Sequence, residues 1–292
     1  MDIIDFMDKV KNGEITPEDI DRNGWGGSVT ARIKFIKQPR GGYIKPKEFE
    51  RIQLEGGGIE DLPHPMAEEN VHVSLVGMAV DYLTRFITGD KPEAAFGISY
   101  LGARTLKKLD TFEDLLSRIT GLDDKSIDAA VKLTGFDCVY RAGKEVYRPV
   151  EDIIPNSQTI ENIRAMVTRA QNFFKLYGPK VRDSFTFEGG TTPYITVGDG
   201  DYLTQDGLWD FKVSKRDQLT SDQTLQLLIY WRMGLHSIFA YYYFVQYLGI
   251  YNPRTNVAYR LKVDKIPQPT IDEVEEKVIG YEPEHKTRKK RQ

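Results

Sequence analysis

Hydrophobic and polar positions alternate along this chain with two periods, and the switch between them outlines its elements. Residues 71–87 carry Leu75, Ala79, Tyr82, Leu83 and Phe86 at helical spacing and predict an amphipathic helix. Residues 111–119, 124–134 and 159–177 also read as helices, set off by Gly121, Gly135, Gly143, Pro149 and Pro155. Three β-prone runs follow, over 184–187, 194–197 and 208–213. The first two are expected to pair through the Glu188-Gly189-Gly190 turn, and Asp206-Gly207 marks a hairpin into the third. A helix then starts at Thr220, Ser221 or Asp222 as N-cap. Residues 241–251 hold Tyr241, Tyr242, Tyr243, Phe244, Tyr247 and Tyr251, which predicts a buried strand that turns at Asn252-Pro253 into a partner over 257–263. Base stacking is the other use such rings have, with core packing the simpler one. Residues 270–280 form a last amphipathic helix, from a Thr270 cap to Gly280. At the other end, residues 2–12 read as a short helix and Thr16-Pro17-Glu18 opens a second, broken by Asn23-Gly24-Trp25-Gly26-Gly27. The glycines at 56–58 and Pro63-His64-Pro65 read as loop.

Chemistry concentrates between Tyr194 and Trp231. Strand alternation puts Leu208, Asp210, Lys212 and Ser214 on one face and Trp209, Phe211 and Val213 on the other. Asp201 closes the preceding strand after Gly198-Asp199-Gly200, and the hairpin folds it back towards Asp210. Two carboxylates and an ammonium then converge. Hard oxygen ligands of this kind suit magnesium, which lowers the pKa of bound water and offsets charge on a phosphodiester under attack. Lys212 would stabilise that charge or orient the water. The plain alternative is solvent-facing Asp and Lys beside a hairpin. On the following helix Gln226 and Tyr230, four apart, share one face, with Gln223 a turn earlier.

These three linked motifs resemble the RecB-type branch of the PD-(D/E)XK nuclease superfamily, whose pattern is a strand ending in G-x-x-D, a strand carrying (D/E)-x-K and a helix carrying Q-x-x-x-Y. The chain has Gly198-Asp199-Gly200-Asp201, Asp210-Phe211-Lys212 and Gln226-Leu227-Leu228-Ile229-Tyr230 in that order. On residues 71–87, Gly77 followed four positions later by Asp81 resembles the family's small residue and metal ligand, here with Asp in the ligand position. An ordinary Asp81 to Arg85 helical ion pair is the alternative. The resemblance implies an α/β fold with a restriction-endonuclease-like core. Its order is αβββαβ, with a central mixed sheet flanked by helices and a helical insertion. Residues 71–90 and 184–263 would form that core, 91–183 the insertion, 1–70 a partly basic N-terminal extension, and 264–292 a C-terminal helix and basic tail. It implies hydrolysis of DNA phosphodiesters with one or two Mg²⁺ or Mn²⁺ ions on Asp81, Asp201, Asp210 and the Phe211 backbone carbonyl. Lys212 would assist the attacking water, and Gln226 and Tyr230 would position it or the scissile phosphate. Three acids in one small site repel one another and raise at least one pKa until a cation binds. A nuclease-fold module that binds nucleic acid or protein without cutting, in phage defence, counter-defence or recombination, is the alternative. A structural protein with a buried Asp210 to Lys212 pair is the third reading, and it leaves the Gln226 and Tyr230 spacing unexplained. Glu188 is a reserve metal candidate whose place in a turn favours exposure.

Composition narrows the remainder. The 292 residues, 40% hydrophobic, suffice for a sizeable core in one elaborated domain or two small ones. A formal net charge of −3 leaves any nucleic-acid surface to a local patch. The single cysteine, Cys138, excludes a disulfide framework and the iron–sulfur cluster that some RecB-type nucleases carry, and is most simply a small core residue. Residues 32–51 hold seven basic side chains against two acidic ones, interleaved with Phe35, Tyr43 and Phe49. Lys34, Lys37, Arg40, Lys45 and Lys47 among them would track a phosphate backbone, or else belong to a solvated strand and loop. In the insertion, Arg104, Lys107, Lys108, Arg164 and Arg169 are further phosphate candidates or simply solvated charge. The tail over 286–292 has five basic residues in seven and would add nonspecific attraction to nucleic acid. The acidic, amphipathic N-terminus has no signal-peptide core, and no apolar run reaches membrane-spanning length. A cytoplasmic protein with DNA as partner and no membrane contact is the expectation.

Overall fold

The computed structural model describes residue 14 and residues 27–282, so the helices expected over 2–12 and from Thr16, and the basic tail, lie outside the described residues. In chain order the elements are β1 (Gly27–Ser28), α1 (Val29–Phe35), β2 (Glu50–Gln53), α2 (Val73–Ile87), α3 (Pro92–Ala95), α4 (Gly97–Leu106), α5 (Leu109–Ser117), α6 (Asp124–Thr134), α7 (Asp137–Ala142), α8 (Ser157–Tyr177), β3 (Arg182–Thr186), β4 (Ile195–Val197), β5 (Asp199–Leu203), β6 (Gly207–Phe211), α9 (Ser221–Leu235), β7 (Tyr247–Asn252), β8 (Val257–Lys262) and α10 (Gln268–Glu273). A π-helical turn over Val274–Ile279 continues α10 and stops at Gly280, whose φ of 92° suits a glycine cap.

The class is α/β, with a mixed six-stranded sheet flanked by helices. Its strand order is β2-β8-β7-β6-β5-β3. All neighbours run antiparallel except β6 and β7, whose parallel pairing requires the α9 crossover between them. Strand alternation sorts the side chains as the pleat demands. Leu208 and Leu248 join α9, α1 and the α10 region in one core. Trp209, Phe211 and Tyr251 face the other way, onto Phe173 and Phe174 of α8. A third cluster fills the helical segment between α2 and β3. The helix N-caps are local and specific: Asn156 accepts from Thr159 N–H at the start of α8, and Thr220 forms a reciprocal capping box with Gln223 on α9.

Three expectations are corrected. Residues 194–197 do not pair with β3; they form β4, parallel to β1, while β3 pairs with β5. Gly200 allows this, because it stands opposite Phe185 and a β-carbon there would lie 2.0 Å from that ring. The chain over 241–244 is a single-turn helix rather than strand. Tyr242 alone of it is buried, its hydroxyl donating to the Thr186 carbonyl, while Tyr243 and Phe244 are exposed. Strand begins only at Tyr247, where parallel pairing with β6 becomes available. The final helix starts at Gln268 behind Pro267 instead of at Thr270. The basic segment over 32–51, whose alternative reading is solvated strand and loop, begins as the end of helix α1 and is loop from there to β2.

The turn between β7 and β8 is fastened to the rest by buried charge. Arg254, 1% exposed, makes a two-pronged ion pair with Glu69 at 2.6 and 2.9 Å. Arg169 of α8 donates to the carbonyls of Pro253, Arg254, Gly56 and Gly58. Truncating Arg254 strands the Glu69 charge in a dry site. Arg254→Ala should therefore cost about 3–5 kcal/mol in urea denaturation, and the double replacement Arg254→Met with Glu69→Leu markedly less.

Candidate active site

The hairpin that joins β5 to β6 parts where the carboxylates begin. Its ladder pairs Leu203 with Leu208 and Tyr202 with Trp209; Asp201 and Asp210 are the next residues on the two strands. There the Phe211 N–H donates to Asp201 Oδ2 at 2.7 Å, a side-chain acceptor in place of a strand carbonyl. The opening is the floor of a cleft of about 800 Å³. Asp201, Asp210, Phe211, Lys212, Gln226 and Tyr230 all line it, as do Asp81 and Gly77 of α2.

Asp210 is 3% exposed. Lys212 Nζ sits 2.7 Å from Asp210 Oδ2 as an ion pair whose angle leaves that oxygen without a well-directed donor. Gln226 Nε2 lies 3.5 Å from Asp210 Oδ1 and donates to Tyr230 Oη at 2.8 Å, so Tyr230 keeps its own proton for the cleft. Burial, followed by the neighbouring charges of Asp210 and Asp81, pushes Asp201 up to about 8. Burial also raises Asp210, against the opposing pull of Lys212. For Lys212 burial works against the charge, but Asp210 and Asp201 outweigh it and hold the ammonium above its ordinary value. Burial and the Asp210 charge keep Tyr230 a neutral phenol.

Asp81 reaches the cleft but is already engaged. Arg85 binds it at 2.7 Å, one helical turn on, and the Tyr202 hydroxyl donates to its Oδ1 at 2.7 Å. Arg85 also donates to Ser184, a non-glycine residue with a φ of 42° next to Phe185 on β3. Among the described residues no three His, Cys, Asp or Glu side chains form a metal-holding group. Asp81, Asp201 and Asp210 line one cleft, with Asp81 paired to Arg85 and its charge still felt at Asp201. The donor set that fits a hard divalent ion narrows to Asp201 and Asp210, with the Phe211 carbonyl beside them: two carboxylates, one with an oxygen lacking a directed donor.

Other expected residues lie elsewhere. Lys34, Lys37, Arg40, Lys45 and Lys47 are exposed on α1 and the loop after it, and none lines the cleft. Arg32 is spent on the carbonyls of Val278 and Lys277, Arg51 on Asp217, and Phe49 is in the core. In the insertion, Arg164 is held by the Leu122 carbonyl and Asp124, and Arg169 by the carbonyls named above. Glu188 is exposed and accepts from Thr186. Cys138 is half-buried, its thiol turned to the Gly135 carbonyl. The cleft also includes Arg85, Tyr140 and Arg141. Of these only Arg85 had a sequence signal, its spacing of four from Asp81.

Fold and cleft together define an α/β protein whose acidic cleft carries one lysine and a glutamine–tyrosine helix face. No protein-family model, curated protein or solved structure matches the chain. No helix among the described residues is long and apolar enough to cross a membrane.

A carboxyl held near 8 in the folded state and near ~4 when unfolded takes up a proton on folding between those values, so stability falls as pH rises through that window. Asp201→Asn removes the penalty while its amide oxygen still accepts from Phe211 N–H. At pH 8 without metal the variant should be more stable by at least about 1.4 kcal/mol, the free energy of a tenfold change in proton affinity. The gap should close towards pH 4; a constant gap across that range in thermal melts would count against a protonated Asp201.

Proposed function

We propose that the protein is a divalent-metal-dependent nuclease that hydrolyses DNA phosphodiester bonds on a restriction-endonuclease-like core. One observation carries the reading: Asp201 on β5, Asp210 and Lys212 at the end of β6, and Gln226 and Tyr230 on α9 line a single cleft. The element order supports it too. Helix α2, the antiparallel strands β3, β5 and β6, helix α9 and the parallel strand β7 follow one another in the αβββαβ sense that the motif resemblance implies.

Asp201, Asp210 and the Phe211 carbonyl are the groups that would hold Mg²⁺ or Mn²⁺. Such an ion, when bound, supplies Lewis acidity that activates water and offsets phosphoryl charge. The protein's own groups do the rest. Lys212, kept protonated beside Asp210, donates to the phosphoryl oxygens or orients the attacking water. Gln226, fixed between Asp210 and Tyr230, holds the phenol so that its proton faces the cleft. Arg85 neutralises Asp81, which lowers the repulsion an incoming phosphate meets.

The test is cleavage of plasmid and of linear single- and double-stranded DNA, with Mg²⁺, with Mn²⁺ and with EDTA. Metal-dependent cleavage is expected, reduced by about 10²-fold or more in Lys212→Ala. Binding without cleavage under every condition would favour a silent module, and neither binding nor cleavage would sink the reading. A bound ion that ignores the unfolded chain should also raise Tm, by about 2.7 kcal/mol of stability at 100 times its Kd. Asp210→Asn should abolish that rise.

A further inference from the structure

The helical insertion contributes Ile98 and two side chains with polar or aromatic chemistry to the cleft, none used by the reaction described above. Tyr140 and Arg141, on α7, line it together with the acidic floor. Tyr140 is 57% exposed, whereas the other aromatic rings of the lining, Tyr82, Phe211 and Tyr230, are all buried. Of the cations in the lining, Arg85 is bound to Asp81 and Lys212 to Asp210. Arg141 lies 3.9 Å from Asp137 and within reach of the Tyr82 hydroxyl, feels the Asp199 charge, and keeps a side chain 59% exposed.

The helix that carries them is held firmly. Asp137, 0% exposed, accepts from Ser99 Oγ of α4 at 2.6 Å and from the Tyr82 hydroxyl of α2. Tyr82 is the neighbour of Asp81, so α7 is tied to the same helix that borders the site. Gly102 of α4 lies so close to the chain entering α7 that a β-carbon there would come 2.0 Å from the Phe136 carbonyl oxygen. Asp137 thus has two good donors without Arg141, which leaves the outer part of that guanidinium open to another anion. A ring and a guanidinium in adjacent positions, on an anchored turn at a cleft, match one base and one phosphate of a nucleic-acid strand.

We propose that Tyr140 and Arg141 hold the strand to be cut, with an unpaired base stacked on Tyr140 and a flanking phosphate on Arg141, so that single-stranded DNA is the preferred form of substrate. Stacking on an open aromatic face requires a base with its own face free, which a paired and stacked duplex does not offer. The inference rests on the nuclease reading and specifies the substrate of that same site.

The experiment is fluorescence anisotropy of the full chain with a labelled oligothymidylate and with a hairpin duplex of similar length. Ca²⁺ replaces Mg²⁺, and the recovered DNA is checked for intactness. The unaltered protein should bind the oligothymidylate more tightly. Tyr140→Ala should weaken that binding at least about fivefold and leave the duplex unaffected, while Tyr140→Phe retains it. Arg141→Gln should weaken both and lower the salt dependence of single-strand binding by about 0.7 in log–log slope. Both positions are exposed, so thermal melts should be unchanged. Oligothymidylate binding unaltered in Tyr140→Ala and Arg141→Gln, or a tighter duplex indifferent to Tyr140, overturns the inference and leaves the nuclease reading standing. An unaltered protein that neither binds nor cuts any DNA removes both.

Discussion

The enclosure of two carboxyl groups, Asp210 buried and Asp201 half-buried, at the point where two strands separate governs the rest of this structure. Asp201 and Asp210 follow the last paired residues of the β5–β6 hairpin, where desolvation raises the pKa of both. A single backbone N–H, one lysine and one distant glutamine amide are what the protein offers in return. Desolvation works against charge on both carboxyls, a perturbation that clusters at functional sites and also accompanies structural ion pairs.

The surrounding fold is arranged to keep that arrangement rigid. The parallel pairing of β6 with β7 obliges the chain to cross over through α9, and the crossover brings Gln226 and Tyr230 over the carboxylates. Large rings, Trp209, Phe211 and Tyr251, pack the opposite side against α8, so the strand that carries Asp210 is fixed from below. On the cleft side Arg85 draws Asp81, and through it the Tyr202 hydroxyl, into a separate network. The third acid therefore shapes the electrostatics of the cleft without joining its two neighbours.

The helical insertion changes meaning in three dimensions. Along the chain it is a series of short helices without a recognisable motif. Folded, it is a packed unit with its own core that shares α2 with the sheet domain and sets one exposed turn, Tyr140 and Arg141, beside the acidic floor. The basic segment after α1, whose composition attracts attention first, keeps Lys34, Lys37, Arg40, Lys45 and Lys47 away from the cleft.

The sequence alone carried the chemistry of the floor, because that depends on short-range rules. Strand alternation put Asp210 and Lys212 on one face, a helical period put Gln226 beside Tyr230, and the run Thr220 to Asp222 announced the helix start, which the structure caps with Thr220. The class of fold and the helices at 71–87, 124–134 and 159–177 were legible for the same reason. The hairpin pairings of β5 with β6 and of β7 with β8 were legible too, but the partner of β3 was not, since that turned on a contact between residues well apart in the chain, Gly200 beneath Phe185. Nor was the fate of Asp81, where two local options of nearly equal merit, an ion pair and a ligand, were separated by the arrival of Tyr202 and Ser184 from distant strands. Tyr140 and Arg141 had no local signal, because their place at the cleft comes from a carboxylate buried between three helices, a property of packing that no spacing along the chain encodes.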